Sequence, residues 1–186
     1  MPYLSLVTAP AVEPITLAEA KLHAKIETTD DDTLITNLIV AARRAAETFC
    51  GRAFISQVWD AVYDELPGEE FPLPDALVLP RIPLVSITGA YYTGTDGVET
   101  TWAATNYQVD LISGRLIPLQ SWPSRRERSG FRVRWTAGYG TSASAVPQEI
   151  KQALLEAVTH FYEKRIEGEL PMASKRLLQG FRSWLH

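Results

Sequence analysis

The chain has 186 residues, 46% of them hydrophobic: enough for one domain, or one core with a small appendage, and too apolar for wholesale disorder. Its formal charge of −4 gives no general attraction to nucleic acid or acidic membranes, so any such contact needs a local patch. Cys50 is the only cysteine, which excludes an intramolecular disulfide and a cysteine-rich zinc centre, and no apolar run approaches the roughly 20 residues that span a bilayer.

Residues 1–14, with Pro2, Pro10 and Pro14, read as an extended arm without the basic start and apolar core of a signal peptide, and a reducing cytoplasm is the expected compartment of synthesis. Thr16 and Glu19 form a capping-box pattern that predicts a helix to about Ile26. Asp30-Asp31-Asp32 then opens a second helix, in which Leu34, Ile35, Leu38, Ile39, Ala42, Ala46 and Phe49 keep helical period until Gly51. The acidic triplet lacks the spacing, glycine and terminal glutamate of a calcium loop, and is expected to cap its helix.

From Ala53 the texture turns to strands: Ile55 to Tyr63, Leu77 to Leu79, Val85 to Ile87, Ala90 to Tyr92, Val98 to Trp102, Tyr107 to Val109, Arg115 to Ile117 and Phe131 to Thr136. Asp96-Gly97 predicts a hairpin turn. Phe131, Val133 and Trp135 alternate with Arg132, Arg134 and Thr136, the pattern of a strand with one packed face. Pro147 starts a long amphipathic helix carrying Ile150, Leu154, Val158, Phe161 and Tyr162. After a break at Gly168 and Pro171, the final segment places Leu177, Leu178, Phe181, Trp184 and Leu185 on one helical stripe. That stripe fits either closure of the protein's own core or a helix anchored in a partner's groove, and a hinged, mobile segment suits the second.

The expected fold is therefore α+β, a mainly α-helical bundle with an inserted antiparallel β module. Its parts are residues 1–52 (arm and two helices), 53–140 (β module), 141–171 (long helix) and 172–186 (C-terminal amphipathic segment).

No enzyme signature is present. His23, His160 and His186 lie at no mutual ligand spacing, and no serine sits in a nucleophile elbow. Gly138-Tyr139-Gly140 lacks the pattern of a phosphate loop and reads as a turn. Glu163, Glu167 and Glu169 read as a solvated helix end, and Cys50 as a buried filler. A small enzyme built around His160, Glu163 or Cys50 would need a convergent polar pocket. No catalytic residue, metal ligand or cofactor is expected. The one dense basic group is Arg125, Arg126, Arg128, Arg132 and Arg134. It suits a salt-bridged subunit interface, favoured for an acidic chain, or the phosphates of DNA, as in a packaging factor.

An ordered series of short stretches resembles the head–tail connector (adaptor) proteins of long-tailed bacteriophages and their relatives in gene transfer agents. It begins with the arm from Leu6-Val7-Thr8-Ala9-Pro10 through Ile15-Thr16-Leu17-Ala18-Glu19-Ala20-Lys21. It continues in Asp31-Asp32 with Leu34-Ile35, Ala41-Ala42-Arg43, Glu47 and Gly51-Arg52-Ala53. Further on come Leu79-Pro80-Arg81-Ile82-Pro83-Leu84, Gly114-Arg115-Leu116, Trp122-Pro123, Gly138-Tyr139-Gly140, Val146-Pro147 and His160-Phe161-Tyr162-Glu163. The resemblance implies a non-enzymatic subunit of a ring, commonly dodecameric, at the neck of a virion or phage-like particle. Implied partners are the portal protein, sister subunits and a stopper or tail-side connector, with DNA passing through the channel unrecognised and no membrane involved. The residue chemistry assigns the subunit interface to the five arginines. It assigns portal docking to Leu177, Leu178, Phe181, Trp184 and Leu185.

Overall fold

A computed structural model describes residues 2–68, 75–165 and 169–183. The chain divides into two compact units: a β unit of residues up to Ala9 and Ser56–Gly138, and a helical unit of Pro10–Ile55 and the chain from Tyr139 on.

Eight strands make the β unit: β1 (Tyr3–Thr8), β2 (Gln57–Tyr63), β3 (Leu77–Val78), β4 (Leu84–Thr93), β5 (Glu99–Trp102), β6 (Tyr107–Asp110), β7 (Arg115–Pro118) and β8 (Phe131–Ala137). They form a five-stranded sheet in the order β1-β2-β8-β4-β5 and a three-stranded sheet in the order β3-β7-β6, with every pairing antiparallel. Strand β8 lies at the centre of the larger sheet, and its period-two pattern explains why: Phe131, Val133, Trp135 and Ala137 are fully buried, while Arg132, Arg134 and Thr136 face the other way. The two sheets are joined through aromatic side chains. Trp102 stacks on Tyr107 at 5.1 Å between centroids, and Trp122 and Phe131 meet its other sides at 5.4 and 5.6 Å. Tyr63 adds a hydrogen bond to the Val78 carbonyl, and burial raises its phenol pKa.

The helical unit packs α1 (Leu17–Ala24), α2 (Asp32–Cys50), α3 (Gln148–Lys164) and α4 (Met172–Leu178) around a common core that includes Ile35, Leu38, Ala42, Phe54, Leu154, Val158 and Phe161. The capping box forms at α1: Glu19 N–H donates to Thr16 Oγ1 at 3.1 Å, and Thr16 N–H donates to the Glu19 carboxylate at 2.6 Å. Helix α2 ends at Gly51 in the left-handed region. At its core-facing side Arg43 is buried between Glu13 (2.7 Å) and Glu47 (2.9 Å), and Glu47 also accepts the Phe54 N–H at 2.8 Å. Burial works against the Arg43 charge, but the two carboxylates outweigh it and hold its pKa above the ordinary value.

Three expectations need correction. The chain is not a mainly α-helical bundle with an inserted β module; the described residues hold eight strands in two antiparallel sheets beside four short helices, a β-rich architecture. Helical periodicity is loud in a sequence, whereas strands β1, β2 and β8 of the larger sheet find their partners far along the chain. Part of the supposed arm is strand β1, paired with β2 from Tyr3↔Val62 to Thr8↔Val58. The acidic triplet does not cap α2 through Asp31, whose side chain makes no capping bond and accepts the Tyr162 hydroxyl at 2.6 Å, while Asp32 pairs with Lys21 at 2.5 Å.

Candidate functional site

Antiparallel register brings the arginines of β8 into a polar face on the five-stranded sheet. Asp60 lies opposite Arg134, Val62 opposite Arg132, and Tyr91 opposite Arg132 on the other side. Arg134 grips Asp60 with two hydrogen bonds of 2.8 and 2.7 Å. Arg132 does the same to Glu99 (2.9 and 2.7 Å), reaches Asp60 at 3.2 Å, and lies 4.1 Å above the Tyr91 ring. Gly89 permits that stacking, since a β-carbon there would stand 2.5 Å from the Tyr91 hydroxyl. Burial tends to raise the Asp60 pKa, but the hydrogen bonds and charges of Arg134 and Arg132 prevail and hold it below the usual carboxylate range. Arg132 likewise depresses Glu99. The four-membered network is neutral: two guanidinium groups meet two carboxylates within one chain.

Arg125, Arg126 and Arg128 lie in the connection between β7 and β8, and Arg126 lines a shallow hollow together with Glu99 and Arg132. This loop is pinned by Arg126 N–H on the Thr93 carbonyl (2.9 Å), Thr93 N–H on the Gly130 carbonyl (2.9 Å) and Ser129 N–H on Asp64 (2.7 Å). Arg126 and Arg128 are exposed. The dense basic group of the sequence thus divides by engagement: Arg132 and Arg134 are paired with carboxylates on the sheet, while Arg126 and Arg128 are exposed on the adjoining loop.

At the C-terminal segment, α4 lies on α3, where Ser174 Oγ donates to the Ala153 carbonyl at 2.7 Å and Leu178 is fully buried. Phe181 is partly buried against the same core, and its carbonyl accepts from Arg52. Ser183 N–H donates to the Cys50 carbonyl at 2.7 Å. Leu177 faces out at 36% exposure. Residues 172–183 therefore rest on their own chain rather than hanging free. Trp184 and Leu185 lie outside the described residues, as do Gly168 and Glu167.

The other candidates have structural surroundings. His160 packs beside Phe161 with ring centroids 6.3 Å apart, and Cys50 is buried with its thiol 3.9 Å from the Leu178 carbonyl. Glu163 is exposed, and Glu169 pairs with Lys175 at 3.3 Å. Among the described residues no group of His, Cys, Asp and Glu is arranged to hold a metal ion, and no helix is long and apolar enough to cross a membrane.

Sequence reasoning missed Asp60 and Glu99, the carboxylates that receive the arginines. The available signal was Asp60 inside a β-rich stretch, a charge on a strand that needs a cross-strand partner.

A sequence model of the head completion protein family matches residues 13–170. No curated protein matches the sequence. Among solved structures, the chain is similar to one in the neck of the empty GTA particle with C6 symmetry, at a TM-score of 0.81 and 25% identity over 97% of this chain and 95% of that one. It is similar, with the same identity and coverage, to a chain in the neck of the native GTA particle with C12 symmetry (TM-score 0.79) and to one in the virion of the native gene transfer agent particle (TM-score 0.78).

Proposed function

This chain belongs to the head completion protein family, and from that premise we infer its place and its partners. It is a structural head–tail connector subunit in the neck of a phage or phage-like particle, similar over nearly its whole length to chains of the GTA neck. That end-to-end similarity carries the reading. Membership of this family supports a structural rather than a catalytic role.

The finer reading is a ring of identical subunits between portal and tail, with the tail-side connector or stopper below it and DNA passing through its centre without sequence recognition. Symmetric necks among the similar structures support it. A ring of more than two members requires heterologous contacts, one face of a subunit on a different face of the next. The exposed loop arginines Arg126 and Arg128 suit the rim of such a contact; Arg132 and Arg134 would enter it only as a preformed neutral network with Asp60 and Glu99. Portal docking is assigned to residues 172–186, with Leu178 holding the segment to the body and Leu177 presented outward.

Imaging of particles produced with and without this gene tests the function. The expected result is a ring of density fitting this chain between portal and tail, and DNA-filled heads lacking tails when the protein is absent. Tailed, infectious or transfer-competent particles without it would refute the assignment.

A further inference from the structure

Among the described residues the five-stranded sheet ends in β1 on one side and β5 on the other, and the two open edges differ in kind. An open edge presents a row of unpaired N–H and C=O groups, which proteins ordinarily guard with charge, proline or brevity. Strand β5 is guarded, being four residues long with Glu99 at its start. Strand β1 is not. Its six residues, Tyr3-Leu4-Ser5-Leu6-Val7-Thr8, carry neither charge nor proline, and Tyr3, Leu6 and Val7 are exposed. Its irregularity, between Leu6 and Thr8, lies at the C-terminal end and leaves Tyr3 to Leu6 in unbroken register with β2.

A positive charge stands beside the regular end. Tyr3 lines a hollow of about 290 Å³ together with Arg126, Arg132 and Glu99. Glu99 is held by Arg132 through two hydrogen bonds, so these two charges cancel. Arg126 donates to the Ser129 carbonyl at 3.3 Å and has no carboxylate partner among the described residues. Edge and charge together name the chemistry that fits: unpaired backbone groups recognise an extended backbone, and a free guanidinium recognises a carboxylate. A second copy of this chain does not bring both from any of its own sheet edges. Strand β1 has no acidic residue, β3 is a leucine and a valine, Glu99 of β5 is held by Arg132, and Asp110 of β6 is held inside its own turn by Ile112 and Ser113.

We propose that the outer edge of β1 takes up an extended segment of a different protein as a further strand of the sheet, with an acidic residue of that segment seated on Arg126. Backbone hydrogen bonds supply the affinity and are indifferent to side chains, while the pair with Arg126 fixes which part of the segment lies beside Tyr3. Because the edge of β1 is already straight and ordered by its ladder with β2, the ordering cost falls on the incoming segment alone. Arg128, exposed on the same loop, is left for the rim of the subunit contact.

The test uses the full chain with a short synthetic peptide of alternating valine and threonine ending in aspartate, beside the same peptide ending in lysine. Hydrogen exchange of the amides in residues 3–8 is expected to slow with the aspartate peptide, which should bind about tenfold more tightly than the lysine peptide. Arg126→Glu, a change on an exposed side chain, should reverse that preference at an unchanged melting temperature. Methylating the peptide's backbone nitrogens keeps its side chains and removes its strand hydrogen bonds, so binding should be lost. In assembled particles the same amides should exchange more slowly than in the isolated chain, and a photo-cross-linking side chain placed at Val7 should join the chain to a different protein. No slowing by either peptide, undiminished binding of the methylated form, or a preference for aspartate that survives Arg126→Glu would each overturn the proposal. So would unchanged exchange in the particles, or linkage of position 7 to a second copy.

Discussion

Two ion-pair clusters show how a side chain's surroundings decide what its charge does. Arg43 and Glu47 are 4% and 5% exposed, so neither can be solvated if the other is removed. Arg43→Met would leave the buried Glu47 carboxylate without its guanidinium partner, and a loss of about 3–5 kcal/mol in urea denaturation is expected. Asp60 is less enclosed, and Arg134, at 35% exposure, is partly screened by water, so Asp60→Asn should cost less, about 1–3 kcal/mol. Its signature is in the pH dependence. Because the folded Asp60 carboxyl titrates below its ordinary 3.8, its contribution is complete above that value and disappears as pH falls through the folded pKa. Asp60→Asn should therefore flatten the decline of the denaturation midpoint between about pH 5 and pH 2. An unchanged acid limb would show that the network adds nothing to stability.

At the scale of elements, legibility followed the range of the pairing. Helix α1 was readable because Thr16 and Glu19 are three residues apart and state its start locally; β8 was readable because its alternation survives a central position. Strand β1 was not, since what makes it a strand is β2, whose paired residues lie far along the chain, from Tyr3↔Val62 to Thr8↔Val58, and flanking prolines suggest an arm. The arginine face was half legible: Arg132 and Arg134 were visible, but only ladder register places Asp60 and Glu99 against them. Most ambiguous was the terminal stripe, because burial in one's own core and burial in a partner demand the same spacing. The structure separates neighbours that the sequence could not, with Leu178 fully buried and Leu177 turned outward. Leu178→Ala should lower stability by about 2–5 kcal/mol, whereas Leu177→Asp should leave the melting temperature nearly unchanged and weaken portal binding. Equal stability losses in the two would place both residues in the core; undiminished portal binding by Leu177→Asp would remove it from the docking surface.

For the whole molecule, the division of the basic group into a neutral network and a charged loop predicts two different failures from the same kind of substitution. Reversing Arg132 and Arg134 to Glu sets four carboxylates against one another on one sheet face, where Asp60 and Glu99 already lie within hydrogen-bond reach. That change should damage folding before any question of assembly arises, seen as a lowered melting temperature of the isolated protein that recovers partly with salt. Reversing Arg126 and Arg128 alters exposed side chains on a loop whose anchoring hydrogen bonds run mainly through its backbone. The subunit should then fold normally, and any defect should appear only when copies are brought together on the portal. If those arginines lie at the rim of the subunit contact, the variant should give fewer closed rings than the native chain, with a deficit that is largest at low ionic strength, where unscreened repulsion reaches farthest. Ring yield counted from images across a salt series, beside a melting curve for each protein, measures both failures together. Full ring yield from the Arg126/Arg128 reversal at every salt concentration would take the loop out of the interface, and a normal melting curve from the Arg132/Arg134 reversal would show that the sheet face tolerates four like charges and contributes little to the fold.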